Sequence, residues 1–204
     1  MVQDTRISPD RLLLDSNALF VSLFGLYPAV TIVHSAYDAA MTGVAILLTT
    51  VAVFSAASAF RRLGGIISSL ALLIAAGCCC AAFTACFKHF APEFYSLNSF
   101  ALPLVGINAA VLLRARLYGG CPISTSISRA FATGYGYALA LLIYGVVREL
   151  LAYGSFNGMS VFGGIEFFAS VPGGLLLIVC LAAAFRTVVR KAREYEGEPE
   201  DDNQ

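Results

Sequence analysis

The sequence predicts an all-α membrane protein of six spanning segments, built as two inverted three-helix repeats whose opening segments are broken. Three observations carry this expectation: long charge-free apolar runs, an internal repeat, and the placement of the basic residues. Of 204 residues, 58% are hydrophobic and 13% charged, where a soluble chain carries about 25% charged. The runs 39–60, 63–87, 94–113, 130–147 and 167–185 contain no charged residue, and each reaches about the 17–25 residues that span a bilayer. A weaker run, 16–33, is interrupted by Gly25 and Pro28.

Sliding the chain by 91 positions lays Asn17 on Asn108, Ala18 on Ala109, Leu26-Tyr27 on Leu117-Tyr118, Ala39 on Ala130 and Thr42-Gly43 on Thr133-Gly134. If six segments alternate across the membrane, eleven of the thirteen Lys and Arg residues fall on one side, leaving only Lys88 and Arg148 on the other. By the positive-inside rule both termini are cytoplasmic. The shift passes three segments, an odd number, so the second half is upside down relative to the first, as in many secondary transporters.

In order, residues 1–11 form a polar cytoplasmic N-terminus. Residues 12–187 form the membrane domain, with repeat one at about 12–90 and repeat two at about 96–187, and residues 188–204 form an acidic, disordered cytoplasmic tail. The first segment carries Asp4, Asp10 and Asp15 beside Arg6 and Arg11, unlike a cleaved signal peptide. Residues 34–38 read as a short turn before the helix 39–60, which Arg61-Arg62-Leu63-Gly64-Gly65 closes, and Ile66 opens the next. Residues 88–93 lead to the second broken segment, where Pro103 and Gly106 precede Asn108. Proline removes a backbone donor and glycine loosens the chain, and in lipid such breaks are tolerated only where protein or a cavity covers them. The loop 114–129 ends in a helix cap near 126–128, ahead of the fifth helix, 130–147. The loop 153–164 precedes the sixth, with Glu166 as a first-turn acid.

The candidate site residues follow from the breaks and the rare charges. Asn17, Gly25, Pro28, Pro103, Gly106 and Asn108 mark the midmembrane breaks, the two amides either contacting an ion or cofactor or satisfying carbonyls freed there. Arg114, Arg148 and Glu149 are the motif charges. Adjacent residues face different sides of a helix, so Arg148 and Glu149 each need a separate partner, in an anchoring or a functional role. Cys78, Cys79, Cys80, Cys86, Cys121 and Cys180 read as small buried hydrophobes with no common site. The zero formal charge points away from nucleic acid. No metal-spaced His/Cys set and no catalytic triad stands out.

The stretches Asn17-Ala-Leu-Phe-Val-Ser-Leu-Phe-Gly-Leu-Tyr-Pro28, Leu102-Pro-Leu-Val-Gly-Ile-Asn108 with Arg114-Ala115, and Gly145-Val-Val-Arg-Glu-Leu-Leu151 with Gly154 resemble the Rnf/Nqr family over about residues 12–187. That family comprises six-helix subunits of ion-translocating electron-transport complexes. Arg114-Ala115 and a cytoplasmic N-terminus favour the branch formed by the E-type subunits of Rnf and the D-type subunits of Nqr complexes. The resemblance implies a homologous membrane partner of opposite orientation, further complex subunits, a place in a bacterial or archaeal cytoplasmic (inner) membrane, and coupling of electron flow to Na⁺ or H⁺ movement. It gives this chain no complete active site of its own.

It also implies a 2Fe–2S cluster held at midmembrane by one cysteine from each broken helix of each subunit. Here those positions hold Tyr27 and Ala109, and neither a phenol nor a methyl group replaces a cluster thiolate. No cofactor-binding, catalytic or metal residue is therefore assigned. The loss of both positions keeps a second expectation open, a diverged cysteine-less paralogue acting as a small transporter or structural membrane protein.

Overall fold

The computed structural model describes residues 26–60, 65–107, 122–156, 159–160 and 163–196. Asn17, Gly25, Asn108, Ala109, Arg114 and Cys121 lie outside them. The described residues are mainly helical, joined by short turns, with one short antiparallel pairing. Its elements are α1 (Leu26–Thr31), α2 (Ala36–Ala59), α3 (Gly65–Phe90), α4 (Pro92–Asn98), a 3-10 turn (Leu102–Ile107), α5 (Ile123–Tyr153), the strands Ser155–Phe156 and Met159–Ser160, a second 3-10 turn (Glu166–Ala169) and α6 (Val171–Glu196). Among the described residues four helices are long and apolar enough to cross a membrane: Ala36–Ala59, Ile66–Phe90, Ile123–Tyr153 and Val171–Lys191.

Several boundaries differ from the expected ones, each for a local reason. The turn at 34–38 is shorter than expected, because Ser35 caps α2 by accepting the Asp38 N–H at 3.1 Å, while Asp38 Oδ2 accepts the His34 N–H at 3.3 Å. This reciprocal capping pulls Tyr37 and Asp38 into the first helical turn. The expected cap near 126–128 lies inside α5, which starts at Ile123 behind Pro122; a proline just outside or at the first position costs a helix no hydrogen bond. That helix runs 31 residues to Tyr153 and stops where Gly154 turns left-handed, φ 62°. Arg148 and Glu149 thus sit within α5 and not at its end. Glu166 opens the second 3-10 turn and not α6, and α6 continues through the basic residues to Glu196.

The second broken segment is seen in part. Pro92 starts α4, Asn98 ends it, and Leu102 begins a 3-10 turn that contains the exposed Pro103 and the backbone of Gly106. Buried Asn98 answers the carbonyl of Phe94 with its amide at 3.1 Å. Pro28 lies in the first turn of α1, where a missing N–H is tolerated.

The core lies where α2 crosses α5. A Cβ on Gly43 would stand 3.1 Å from Ala138 Cβ, one on Gly134 3.0 Å from Leu47 Cα, and one on Gly145 2.6 Å from Ala39 Cβ. The positions rise along α2 as they fall along α5, so the helices run antiparallel with their backbones nearly touching. Ile46, Val53, Phe54, Tyr137, Leu141 and Tyr144 fill the seam. Thr49 and Thr50 return their hydroxyls to the carbonyls of Ala45 and Ile46 at 2.7 and 2.6 Å, which removes unpaired donors from an apolar interior.

By contrast α3 buries only a narrow stripe, Leu72, Ala76 and Cys80, and Ile66, Ile67, Leu70 and Ile74 face outward. That distribution suits a helix whose solvent is hydrocarbon. The expected burial of the cysteines is met by Cys80 alone among those described, since Cys78, Cys86 and Cys180 are exposed and Cys79 is half-buried. Consecutive residues on a helix point about 100° apart, so Cys78 faces out where Cys80 faces in.

Candidate functional site

Gly145 places the site. With no side chain there, α5 lies against Ala39 and the carbonyl of Ser35, to which a Cβ would approach within 2.8 Å. Arg148 and Glu149 follow at spacings of three and four, so they flank the face that Gly145 presents, one to each side of it. They therefore project into the junction between α1 and α2.

Arg148 is fully buried, 0% exposed. Its Nη1 donates to the carbonyls of Val30 at 3.0 Å and Val33 at 2.7 Å, at the end of α1. Its Nε donates to Phe168 at 3.1 Å, and Nη2 to Ala169 at 3.1 Å and Ser170 at 3.3 Å, where the second 3-10 turn hands over to α6. A guanidinium carries five N–H groups, and five carbonyls receive them. The carbonyls of Val30, Val33, Phe168 and Ala169 lie at or just past helix and turn ends of the polarity that attracts positive charge, while that of Ser170 also accepts the Gly174 N–H at 3.0 Å.

Space for the guanidinium comes from Gly174, where a Cβ would lie 3.1 Å from Arg148 Cζ and 2.8 Å from the Tyr144 hydroxyl. Tyr144 donates that hydroxyl to the Gly174 carbonyl at 3.3 Å, and its ring centroid lies 5.8 Å from the guanidinium carbon.

Glu149, 7% exposed, handles the opposite polarity. Its Oε2 accepts the Ala36 N–H at 2.8 Å, one of the orphan donors at the start of α2. One dipeptide thus neutralises the end of one helix and the start of the next, and ties α6 to both. His34 sits in this junction beside Arg148, Asp38 and the Thr31 carbonyl; burial first and the Arg148 charge second hold its imidazole below the ordinary 6.5.

Of the sequence-based candidates, Arg148 and Glu149 serve this junction, Pro28 lies in α1, whose C-terminal end supplies two of the carbonyls, and Pro103 and Gly106 lie in the separate 3-10 turn 102–107. Tyr27, at one of the two expected cluster positions, is 36% exposed on α1, and its carbonyl accepts the Thr31 hydroxyl at 2.7 Å. Among the described residues no group of three or more His, Cys, Asp or Glu could hold a metal ion. Sequence reasoning gave no site role to His34, Ser35 or Tyr144, and read Gly173-Gly174 only as suited to close helix packing, which Gly174 provides here. The Ser35-x-x-Asp38 spacing and a glycine four residues before Glu149 were the available signals.

Four long apolar helices, three of them joined at a buried charged anchor, define a polytopic α-helical membrane protein. The profile of the Rnf-Nqr membrane proteins matches residues 10–189, and the chain belongs to that family. It is 27% identical over 185 residues to the E subunit of the Na⁺-translocating ferredoxin:NAD⁺ oxidoreductase complex of Acetobacterium woodii, covering 86% of this chain and 93% of that one. It is 30% identical over 196 residues to the E subunit of the ion-translocating oxidoreductase complex of Edwardsiella ictaluri, with 87% and 83% covered. To the E subunit of the proton-translocating ferredoxin:NAD⁺ oxidoreductase complex of Clostridium ljungdahlii it is 35% identical over 99 residues, 46% of each chain.

Proposed function

We propose that this chain is the E-type membrane subunit of an ion-translocating electron-transport complex. In that role it shapes the midmembrane interface with a homologous subunit of opposite orientation and helps couple electron flow to Na⁺ or H⁺ movement. The observation that carries the reading is near-full-length similarity to two proteins named as E subunits of such complexes. The inverted-repeat architecture belongs to the same proposal, with six crossings and both termini cytoplasmic in an inner membrane. Its support is a matched pair of close contacts: Gly43 meets Ala138 and Gly134 meets Leu47, and adding 91 to one member of each pair gives the other pair. Helices related by a two-fold axis in the membrane plane would meet in this way.

Cluster ligation does not fit the residues this chain offers. Tyr27 is a phenol on a short helix, Ala109 has no donor, and the described cysteines lie on α3 and α6, dispersed in direction. No electron-transfer step is assigned to them. The deciding experiment is affinity purification from native membranes with partner identification and iron analysis. Recovery with flavin- and ferredoxin-type subunits is expected, and recovery as a lone chain would refute membership of a complex. Compartment-specific tags at Gln204 and in the 88–93 connection test the topology, which fails if both report from one side.

The replacements at Tyr27 and Ala109 favour one further reading, a stand-alone small transporter or structural membrane protein. Ion or solute flux in liposomes holding this chain alone would support a transporter, and an inert chain would count against it.

A further inference from the structure

Thr42 and Thr133 are counterparts in the 91-residue shift, and they share an anomaly. They are 0% and 5% exposed, and neither hydroxyl meets a hydrogen-bond partner. A helical threonine has a ready remedy, since its hydroxyl can turn onto the carbonyl four residues back. Thr31, Thr49, Thr50, Thr84 and Thr187 all do so, at 2.6 to 2.9 Å. Thr42 and Thr133 do not make this bond, and a hydroxyl that forgoes the acceptor its own helix offers is aimed at another. Ser126 is orphaned too, but its counterpart Ser35 is bonded as the cap of α2. Only the threonines repeat the anomaly in both halves.

Their surroundings repeat with them. Ala39 and Ala45 stand about one turn before and after Thr42, and Ala130 and Gly136 do the same around Thr133, all four buried. Each pair is the other displaced by 91. Such small neighbours leave volume beside each hydroxyl. Gly43 packs on Ala138 and Gly134 on Leu47, which puts Thr133 level with Leu48, six positions beyond Thr42 on α2. At about 1.5 Å per residue the two threonines stand about 9 Å apart along the helices, one on each side of the crossing's centre.

That spacing decides the guest. Hydroxyls about 9 Å apart cannot share one ion, and a single side-chain oxygen at each does not make a cation's coordination shell. A buried water needs only about two to four polar partners. Each hydroxyl supplies one, and helix carbonyls keep a second lone pair after accepting their backbone bond. An unpaired buried hydroxyl is destabilising, whereas a bond to water is nearly as good as a direct one. We propose that Thr42 and Thr133 form a paired internal hydration site, each hydroxyl binding a water molecule on its own side of the α2–α5 crossing. The apolar seam then carries two polar steps. Their position astride the membrane midplane, the level at which paired repeats hold their ion sites, rests on the inverted-repeat reading above.

X-ray radiolytic labelling of the full chain in lipid nanodiscs reads bound water directly, because hydroxyl radicals form at the water and oxidise the side chain beside it. Tyr137, 2% exposed and four residues from Thr133, is the reporter. It is expected to take label in the wild type, to lose most of it in Thr133→Val, and to keep it in Thr42→Val. Valine has the shape of threonine without the hydroxyl, so thermal unfolding gives a second reading. Loss of a bound water lowers the midpoint of each valine variant by roughly 2–4 °C, whereas removal of a bare orphan leaves it equal or higher. An unlabelled Tyr137 in the wild type, or valine midpoints equal to or above wild type, overturns the site. Stabilisation by NaCl over choline chloride that disappears in the double variant Thr42→Val, Thr133→Val would make the guest sodium and overturn the water assignment. The tag experiment separates the two readings: a failed topology removes the midplane placement, whereas the labelling and the midpoints judge the hydration itself.

Discussion

Replacing Arg148 with lysine tests whether the junction is held by fork geometry or by charge alone. The guanidinium satisfies five carbonyls at 2.7 to 3.3 Å. An ammonium has three donors on one atom, so at least two carbonyls lose this donor, and of the five only that of Ser170 keeps another, the Gly174 N–H at 3.0 Å. Each unpaired buried group costs about 1–3 kcal/mol, giving a loss on the order of 2 kcal/mol for Arg148→Lys. Arg148→Met orphans four of the five but also removes a desolvated charge, which returns part of the loss; breaking a buried charged site by removing one side costs about 3–5 kcal/mol net. The expected order is wild type, then lysine, then methionine, with melting midpoints falling by roughly 2–4 °C per kcal/mol for a chain of this size. Thermal unfolding in detergent, followed by size-exclusion recovery, reads this directly. Lysine matching wild type would show that charge alone suffices, and methionine exceeding wild type would show that the buried cation is a net burden. Either result would refute the reasoning.

Glu149→Gln keeps an oxygen for the Ala36 N–H but loses the charge, and should cost about 1 kcal/mol, whereas Glu149→Ala should cost about 1–3 kcal/mol; the same unfolding assay separates them. Gly145→Ala forces a methyl group against Ala39 and the Ser35 carbonyl and should cost about 1–3 kcal/mol by overpacking. Gly77→Ala enters open space, and its midpoint should stay within about 0.5 kcal/mol of wild type, the ordinary range for a surface change. His34 has its imidazole pKa lowered by burial and Arg148, so the unfolded chain binds its proton first on acidification. Stability should hold above the unfolded value of 6.5 and decline as pH falls through it toward the lower native value. His34→Gln should flatten that decline, measured as unfolding midpoint between pH 8 and 5.

Spans and kinship were legible because both are written in composition and order. A charge-free run long enough to cross hydrocarbon can do little else, and α2, α3, α5 and α6 follow runs visible in the bare sequence. The boundaries were less legible because they depend on caps. Ser35 and Asp38 moved the start of α2 outward through hydrogen bonds worth about 1 kcal/mol each, and Pro122 moved that of α5 with no side-chain cap at all, effects too small to register in a hydropathy pattern.

The sequence by itself determined that Arg148 and Glu149 were rare charges beside apolar spans and could not serve each other, since neighbours on a helix point apart. Only tertiary structure decided whom they serve. The carbonyls of Val30, Val33, Phe168, Ala169 and Ser170 come from segments more than a hundred residues before and some twenty residues after Arg148, and no residue type advertises an unpaired backbone carbonyl. Helix ends acquire their charge from backbone geometry and not from side chains, so the partner of a buried arginine stays hidden until the chain has folded around it.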